Sequence, residues 1–204
     1  MSTSAVPGPR PALDPAALEQ VFTGARTAHR FTDEPVTDEQ VAAIVDLVRH
    51  PPTSMNTQPM RLLLVRSPAA REKLATMMSG GNGDKTRAAP LSVVVAADRR
   101  FDEEMPRLLP HAPNAREAFA DEALRERTAV FNTALQLGYL ILGVRAVGLG
   151  AGPMTGIDAS AIEREFFPDG EHAVVAVVNV GVPDPAGFRP RGPRLAPEEV
   201  VRTV

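Results

Sequence analysis

Residues 173–182 read AVVAVVNVGV, a run that is apolar nearly throughout and rich in β-branched side chains. A strand of this kind has no face to offer to water, so both of its faces must be covered. The chain therefore has to build a sheet with cover on each side, and helices are the natural cover. Two further runs suit the same sheet: Arg61 to Arg66 (RLLLVR) and Leu91 to Ala97 (LSVVVAA). The strands are few for 204 residues, and helical patterning fills much of the rest. The expected class is α+β, with a central mixed or antiparallel sheet flanked by helices.

Helix boundaries are marked by capping chemistry. Asp14 precedes Pro15 and begins a short helix to about Phe22. Thr37 and Gln40 form a capping box ahead of Val41, Ile44, Val45 and Val48, and Pro51-Pro52 stops that helix. Residues 68–78 read as a helix that ends at the flexible Gly80 to Gly83. Phe101 to Pro113 is irregular. From about Ala115 to Val147 a long helical region follows, with Val130, Ala134, Leu137, Ile141 and Val144 on one stripe. The segment Gly148 to Gly156 (GLGAGPMTG) reads as a glycine-rich loop, and Asp158 caps a short helix to Phe166.

Residues 1–12 hold three prolines and little apolar content, and are expected to form a disordered lead. Residues 13–204 are expected to form one domain, with 184–204 as a proline- and arginine-rich arm.

Composition removes several chemistries. The chain has no cysteine, which excludes disulfides, thiolate metal sites and cysteine nucleophiles. The four histidines (His29, His50, His111, His172) are too far apart for a helical metal pair. A net charge of −3 argues against a general nucleic-acid binder. No secretory signal or membrane span is expected, and a cytoplasmic setting is. The P-loop, Rossmann and nucleophile-elbow signatures are missing; Gly148 to Gly152 is glycine-rich but follows a helix, the wrong context for a dinucleotide turn.

What remains is a set of five polar or cationic clusters at element boundaries. Arg26-Thr27-Ala28-His29-Arg30 offers fork-shaped guanidinium donors and a hydroxyl, which suit a phosphate. Thr53, Ser54, Asn56 and Gln58 stand between Pro52 and Pro59 and suit hydrogen bonds to a heteroaromatic edge or a polyol chain. Asn82 and Lys85 pair an amide with a compact cation, which suits an imide edge and charge developing beside it. In Gly152-Pro153-Met154-Thr155-Gly156, glycines allow a ligand to approach main-chain N–H groups. Arg189, Arg191 and Arg194 are spaced by prolines in the arm. Taken singly, each cluster also fits ordinary chemistry: a solvated turn, a Ser/Thr turn, a helix start, a helix stop, a loose tail.

Taken in order, the clusters resemble the FMN-dependent nitroreductase superfamily. Arg26-Thr27-Ala28-His29 resembles its R-[ST]-x-[RK] segment, Pro52 to Pro59 its P-[ST]-S-x-N-x-Q-P segment, and Asn82 with Lys85 its N-x-x-K. Pro153 to Gly156 and the basic pair Arg191 and Arg194 complete the series. Within the superfamily the chain is most similar to the malonic semialdehyde reductase group. Lys85 through Pro90, Pro110-His111-Ala112, Glu165 to Gly170 and Pro190 to Leu195 add to that likeness.

The resemblance implies a homodimer around a long central helix, with a domain-swapped C-terminal arm and FMN at the interface. Arg26, Thr27, His29, Arg191 and Arg194 would hold the phosphate. Thr53, Ser54, Asn56 and Gln58 would reach the flavin of the second copy. Asn82 would bind the pyrimidine edge, Lys85 would sit beside N1 and O2, and a main-chain N–H from Met154 to Gly156 would face N5. Lys85, Asn82 and Thr155 are the candidate catalytic positions, and Pro153, Met154 and Gly156 line the cofactor.

The implied reaction is ping-pong hydride transfer from NAD(P)H through FMN to a small acceptor: an aldehyde, a nitroaromatic or a quinone. A flavin-dependent oxidase using O2 and a non-catalytic flavin- or partner-binding protein are the competing readings. His29 stands where the family usually has Arg or Lys, Thr155 where many members have Glu, and Met60 where others have an aromatic. With no Trp and one Tyr, the pocket above the flavin is expected to be aliphatic.

Overall fold

A computed structural model describes residues 12–204. Residues 1–11, most of the expected lead, lie outside the described residues.

Four strands form one antiparallel sheet in the order β1-β2-β4-β3: β1 (Met60–Val65), β2 (Leu91–Asp98), β3 (Gly150–Met154) and β4 (His172–Gly181). Every pairing is antiparallel, which settles the mixed alternative. The described residues also form eight α-helices: α1 (Pro15–Leu18), α2 (Asp38–Val48), α3 (Pro68–Thr76), α4 (Asn82–Ala88), α5 (Met105–Leu108), α6 (Glu122–Ala146), α7 (Ala159–Phe166) and α8 (Pro197–Val200).

The central strands alternate between two cores. Val93, Val95, Val178 and Val180 face α2 and α6 and pack with Ile44, Val48, Leu140 and Val144. Val94 and Val177 face the other way and pack with Leu74, Met154 and Ile162, from α3, β3 and α7. A period of two along each strand thus fills both faces with apolar side chains. This is the cover that residues 173–182 demanded.

Capping residues sit where the chain's local chemistry put them. The Asp14 carboxylate accepts from the Ala17 N–H. Thr37 and Gln40 close a reciprocal capping box. Asp158 accepts from the Ala161 N–H.

Several boundaries differ from the sequence reading. The first helix becomes a π-helical turn from Glu19 to Thr23. The long helical region is a 3-10 turn (Ala115–Phe119) followed by α6, because Asp121 accepts from the Leu124 N–H and starts the helix anew. The irregular 101–113 stretch contains a 3-10 turn and α5. β1 begins one residue early, β4 is displaced one residue toward the N-terminus, and α3 stops at Thr76.

The largest difference is β3. Gly150-Ala151-Gly152-Pro153-Met154 is an edge strand, where a loop was expected. Residues 26–30 run across it, with the Ala28 N–H donating to the Ala151 carbonyl at 3.0 Å. A Cβ at Gly152 would lie 2.6 Å from the Ala28 carbonyl oxygen, so only glycine admits this approach.

α6 is long and apolar enough to meet the length and hydropathy test for a membrane span, a property the sequence reading did not expect. One side of it packs on α2 and all four strands. That side buries Asn132, Thr133 and Gln136 beside Leu140 and Val144, as a core helix does. Its other side leaves Leu124, Val130, Phe131 and Tyr139 exposed, Phe131 at 67%.

Candidate functional site

Two adjoining pockets open where residues 26–30 cross the β3 edge. Ala25, Arg26, Thr27, His29, Arg189, Pro190, Arg191, Gly192 and Arg194 line the first. Thr27, Ala28 and His29 also line the second, with Asn82, Lys85, Gly152, Pro153, Met154 and Asn179. Their volumes are about 170 and 160 Å³, so neither alone reaches the roughly 300 Å³ of a typical small-molecule site. They share Thr27 and His29 and together form one elongated cleft.

The first pocket carries four arginines and a histidine, and no acidic side chain lines it. The arginines are held by main-chain carbonyls. Arg26 donates to Arg189 O at 3.2 Å, and Arg191 donates to Thr23 O at 2.6 Å and Ala25 O at 3.0 Å. Arg194 donates to Gly192 O and Pro193 O. A guanidinium has five donors, so each of these three keeps donors to spare. Among the described residues none of the four arginines is paired with a carboxylate. A cluster of unneutralised cations at one point is a site for a multiply charged anion.

His29 sits at the junction of the two pockets. Burial, followed by the nearby charges of Lys85 and Arg189, holds its pKa below the ordinary histidine value.

The second pocket is built by α4 against the sheet. Lys85 Nζ donates to Asn82 Oδ1 at 3.1 Å, and Asn82 Nδ2 donates to Gly156 O at 3.2 Å. The lysine is thus aimed by an amide that is itself tied to the loop after β3. A Cβ at Gly156 would lie 3.0 Å from Asn82 Nδ2, so the glycine leaves room for that tie. Thr155 and Gly156 are exposed at the rim, beyond the residues that line the pocket. No loop or side-chain hydrogen bond among the described residues takes the N–H of either.

The fold therefore brings together Arg26, Thr27, His29, Asn82, Lys85, Pro153, Met154, Arg191 and Arg194. It does not bring Thr53, Ser54, Asn56 and Gln58 to the same cleft. Gln58 lines a separate apolar pocket with Val45, Val48, Met60 and Leu62. Within the chain, Asn56 is occupied at both ends: its Nδ2 donates to Leu108 O and its Oδ1 accepts from Gln58 Nε2, each at 2.8 Å. Thr53 Oγ1 accepts from the Gln58 N–H. Ser54 is exposed, and its hydroxyl makes no hydrogen bond within the described residues.

This loop is unusual in its backbone. Met55, Asn56 and Gln58 all have positive φ (50°, 57° and 43°). Left-handed conformations are ordinary for Asn but cost about 1–2 kcal/mol each for residues such as Met and Gln. Two buried amides on α6 hold the loop in place: Asn132 Oδ1 accepts from Ser54 N at 2.8 Å, and Gln136 Oε1 accepts from Met60 N at 3.1 Å.

Two cleft residues escaped the sequence candidates. Arg189 was read with Arg191 and Arg194 as able to reach a phosphate or a partner chain, but was not among the residues assigned to the cofactor. Asn179 was hidden inside an apolar strand; its signal was being the polar residue in a run of valines, matched by Ser92 in β2.

Comparison with known proteins gives a consistent answer. A profile of the Nitroreductase family matches residues 23–182. A Streptomyces coelicolor protein is 54% identical over 193 residues, covering 94% of this chain and 98% of its own. A Ralstonia nicotianae protein is 44% identical over 195 residues, covering 95% and 100%. Both carry the provisional name NADH dehydrogenase/NAD(P)H nitroreductase. Among solved structures, an Exiguobacterium sibiricum protein provisionally titled a nitroreductase, in complex with FMN, superposes with a TM-score of 0.83. It is 19% identical over 96% of this chain and 99% of its own. The NADPH:FMN oxidoreductase of Vibrio harveyi, complexed with NAD+, superposes at 0.73 with 22% identity, covering 92% and 76%.

Proposed function

This chain belongs to the nitroreductase family, and on that premise we propose that its cleft holds FMN and that it uses NAD(P)H to reduce small organic acceptors. One observation carries the reading: an acid-free arginine pocket opens directly into a smaller pocket where a lysine and an amide converge. A flavin mononucleotide has the same division, with a dianionic phosphate at one end and a hydrogen-bonding ring at the other. The residues present fit it.

The side-chain chemistry supports a role for each residue. Arg26, Arg191 and Arg194, with Thr27 and His29, hold the phosphate by charge-assisted hydrogen bonds. Asn82, which keeps a second amide N–H beyond its bonds to Gly156 and Lys85, would take the pyrimidine edge. Lys85, fixed by Asn82, places its ammonium where the reduced ring gathers negative charge, a preorganised electrostatic contribution. The free N–H groups of Thr155 and Gly156 stand at the rim as donors to the reacting edge. The Thr155 side chain has no required role, so the family's frequent Glu is not missed there. Pro153 and Met154 supply the wall. FMN supplies the hydride chemistry when bound, taking two electrons from NAD(P)H and passing them to a second substrate.

We further propose that the molecule works as a homodimer. The exposed Leu124, Val130, Phe131 and Tyr139 on α6 form an apolar face of the sort that second copies cover. The strained loop presents Ser54 outward, where it suits a cleft on another copy. Residues 13–204 then act as one domain. The arm from 184 onward is anchored on its own chain through Arg191, and beyond Arg194 it exposes Leu195, Val200 and Val201, apolar side chains that a second copy would cover. Dependence on NAD(P)H supports a cytoplasmic setting.

The proposed acceptor is a small aldehyde of the malonic semialdehyde type, with nitroaromatics and quinones as alternatives. The stretches Lys85 to Pro90, Pro110 to Ala112 and Pro190 to Leu195 support it, and so does a pocket with no tryptophan to stack on a nitroarene.

The test is spectroscopic. Yellow protein is mixed anaerobically with NADH or NADPH, and bleaching of the flavin bands is followed. Each acceptor is then added and the return of colour timed. Bleaching by a nicotinamide and fastest recovery with the aldehyde are expected. Protein that stays yellow with both donors contradicts the reductase reading and favours an oxidase.

A further inference from the structure

A row of three residues across the sheet marks where one of its apolar cores ends. On the face shared with α3 and α7, Val94, Val177 and Met154 are in register on β2, β4 and β3, and all three are buried and apolar. Two residues along, on the same face, the row is Ser92, Asn179 and Gly152. The apolar core stops there and the second pocket begins.

Asn179 is 1% exposed, yet it lines that pocket. Ser92, fully buried, donates its hydroxyl to Asn179 Oδ1 at 2.7 Å. The amide's Nδ2 has no partner among the described residues, but it is not one of the sealed, unpartnered buried atoms of the chain. It therefore opens toward the cavity that Lys85 and Asn82 face from the other side. Gly152 lies beside it without a side chain; a Cβ there would sit in van der Waals contact with Asn179 Cβ, at 3.7 Å.

Within a sheet of valines, such a pair is costly. Two polar side chains are taken almost wholly out of water there, and the single hydrogen bond between them offsets little of that cost. Replacing both partners of a buried hydrogen bond with apolar groups is nearly neutral or stabilising. Folding alone gives no reason for Ser92 and Asn179.

We propose that Asn179 is a further binding residue of the cleft: its Nδ2, oriented by Ser92, donates to a carbonyl or hydroxyl oxygen on the ring-and-chain part of the bound cofactor. The inference rests on the flavin reading above. It adds a neutral donor on the floor of the pocket to the charged one from Lys85, and it assigns Ser92 as a positioning residue acting through Asn179.

The experiment compares wild-type protein with Asn179→Val and with the double variant Ser92→Ala/Asn179→Val. FMN is removed, and each apo protein is titrated with FMN and separately with riboflavin, following flavin fluorescence. Thermal unfolding of each apo protein is recorded alongside. Loss of one donor is expected to weaken both ligands by about tenfold. The loss should be equal for the two, since the contact is remote from the phosphate. The apo double variant should melt at or above the wild-type temperature, because a polar pair has left an apolar sheet. A ligand role thus lowers affinity while stability holds or rises, whereas a structural role lowers both.

If Asn179→Val alone melts low because Ser92 is stranded, the double variant decides. Unchanged affinity in the double variant, or a fall in its melting temperature with the fall in affinity, overturns the inference. Wild-type protein that binds neither flavin overturns the flavin reading itself, a result distinct from the other two.

Discussion

The cleft at the β3 edge and the Thr53–Gln58 loop are both polar, and the chain treats them in opposite ways. The cleft gathers residues from segments as distant as Arg26 and Arg194, and leaves its cations without carboxylates. The loop is one contiguous stretch with three left-handed residues, and it ties up most of its own side chains. One region is open toward a ligand. The other is shaped at a cost, held by Asn132 and Gln136, and lines no part of its own chain's cleft. Backbone strain that the surroundings over-determine points to function. Under the proposed dimer, a single copy would hold both halves of a site that it does not join.

The contrast can be broken first at the arginines. Arg26→Ala/Arg191→Ala should weaken FMN by more than about 100-fold, from at least two lost charge-assisted hydrogen bonds. Riboflavin affinity should stay as in wild type. Equal losses for the two ligands would place the phosphate elsewhere.

Lys85→Ala should retain FMN but slow its reduction by NAD(P)H by about 10- to 100-fold, as expected for one electrostatic donor. Stopped-flow bleaching measures this, and an unchanged rate removes the charge-stabilising role.

At the loop the sharper test is Asn132→Ala. It strands the Ser54 N–H and releases Met55 and Asn56 from their conformation. A stability loss of about 1–3 kcal/mol by denaturant unfolding is expected, with riboflavin and FMN affinities falling together. A stability loss with both affinities intact would separate the loop from the cleft altogether.

The smallest effect concerns pH. His29 has its pKa lowered in the folded apo protein, first by burial and then by Lys85 and Arg189. The unfolded chain therefore holds a proton that the folded one sheds, and apo stability should decline as pH falls through 6.5 toward the folded value. A phosphate reverses that preference, so FMN affinity should rise over the same descent. The gain should be about two- to fivefold, as for a partly exposed ion pair. His29→Gln should flatten both trends, which isothermal titration from pH 5 to 8 would show.

Much of this molecule was legible before its structure. Asp14, Thr37 and Asp158 begin helices because their side chains satisfy N–H groups that a helix cannot satisfy itself. The three apolar runs became the strands they resembled, and Arg26, Asn82, Lys85 and Arg191, singled out by their chemistry, line the two adjoining pockets.

What escaped depended on distant contacts. β3 is made of glycine, alanine, proline and methionine, with no β-branched signal. It is a strand because β4 pairs with it and residues 26–30 lie against its glycines. Asn179 looks like an interruption in a hydrophobic run until Ser92 is found opposite and Gly152 beside it. Asn132 and Gln136, inside a core helix, show their purpose only when the strained loop is seen above them.

The most direct measurement is a crystal structure of the protein grown with FMN. The account predicts the phosphate among Arg26, Arg191 and Arg194, the ring edge against Asn82 and Lys85, and Ser54 from a second copy in contact with the same flavin. Flavin density bound elsewhere, or a flavin enclosed by one copy with the 53–58 loops remote from it, would contradict the account.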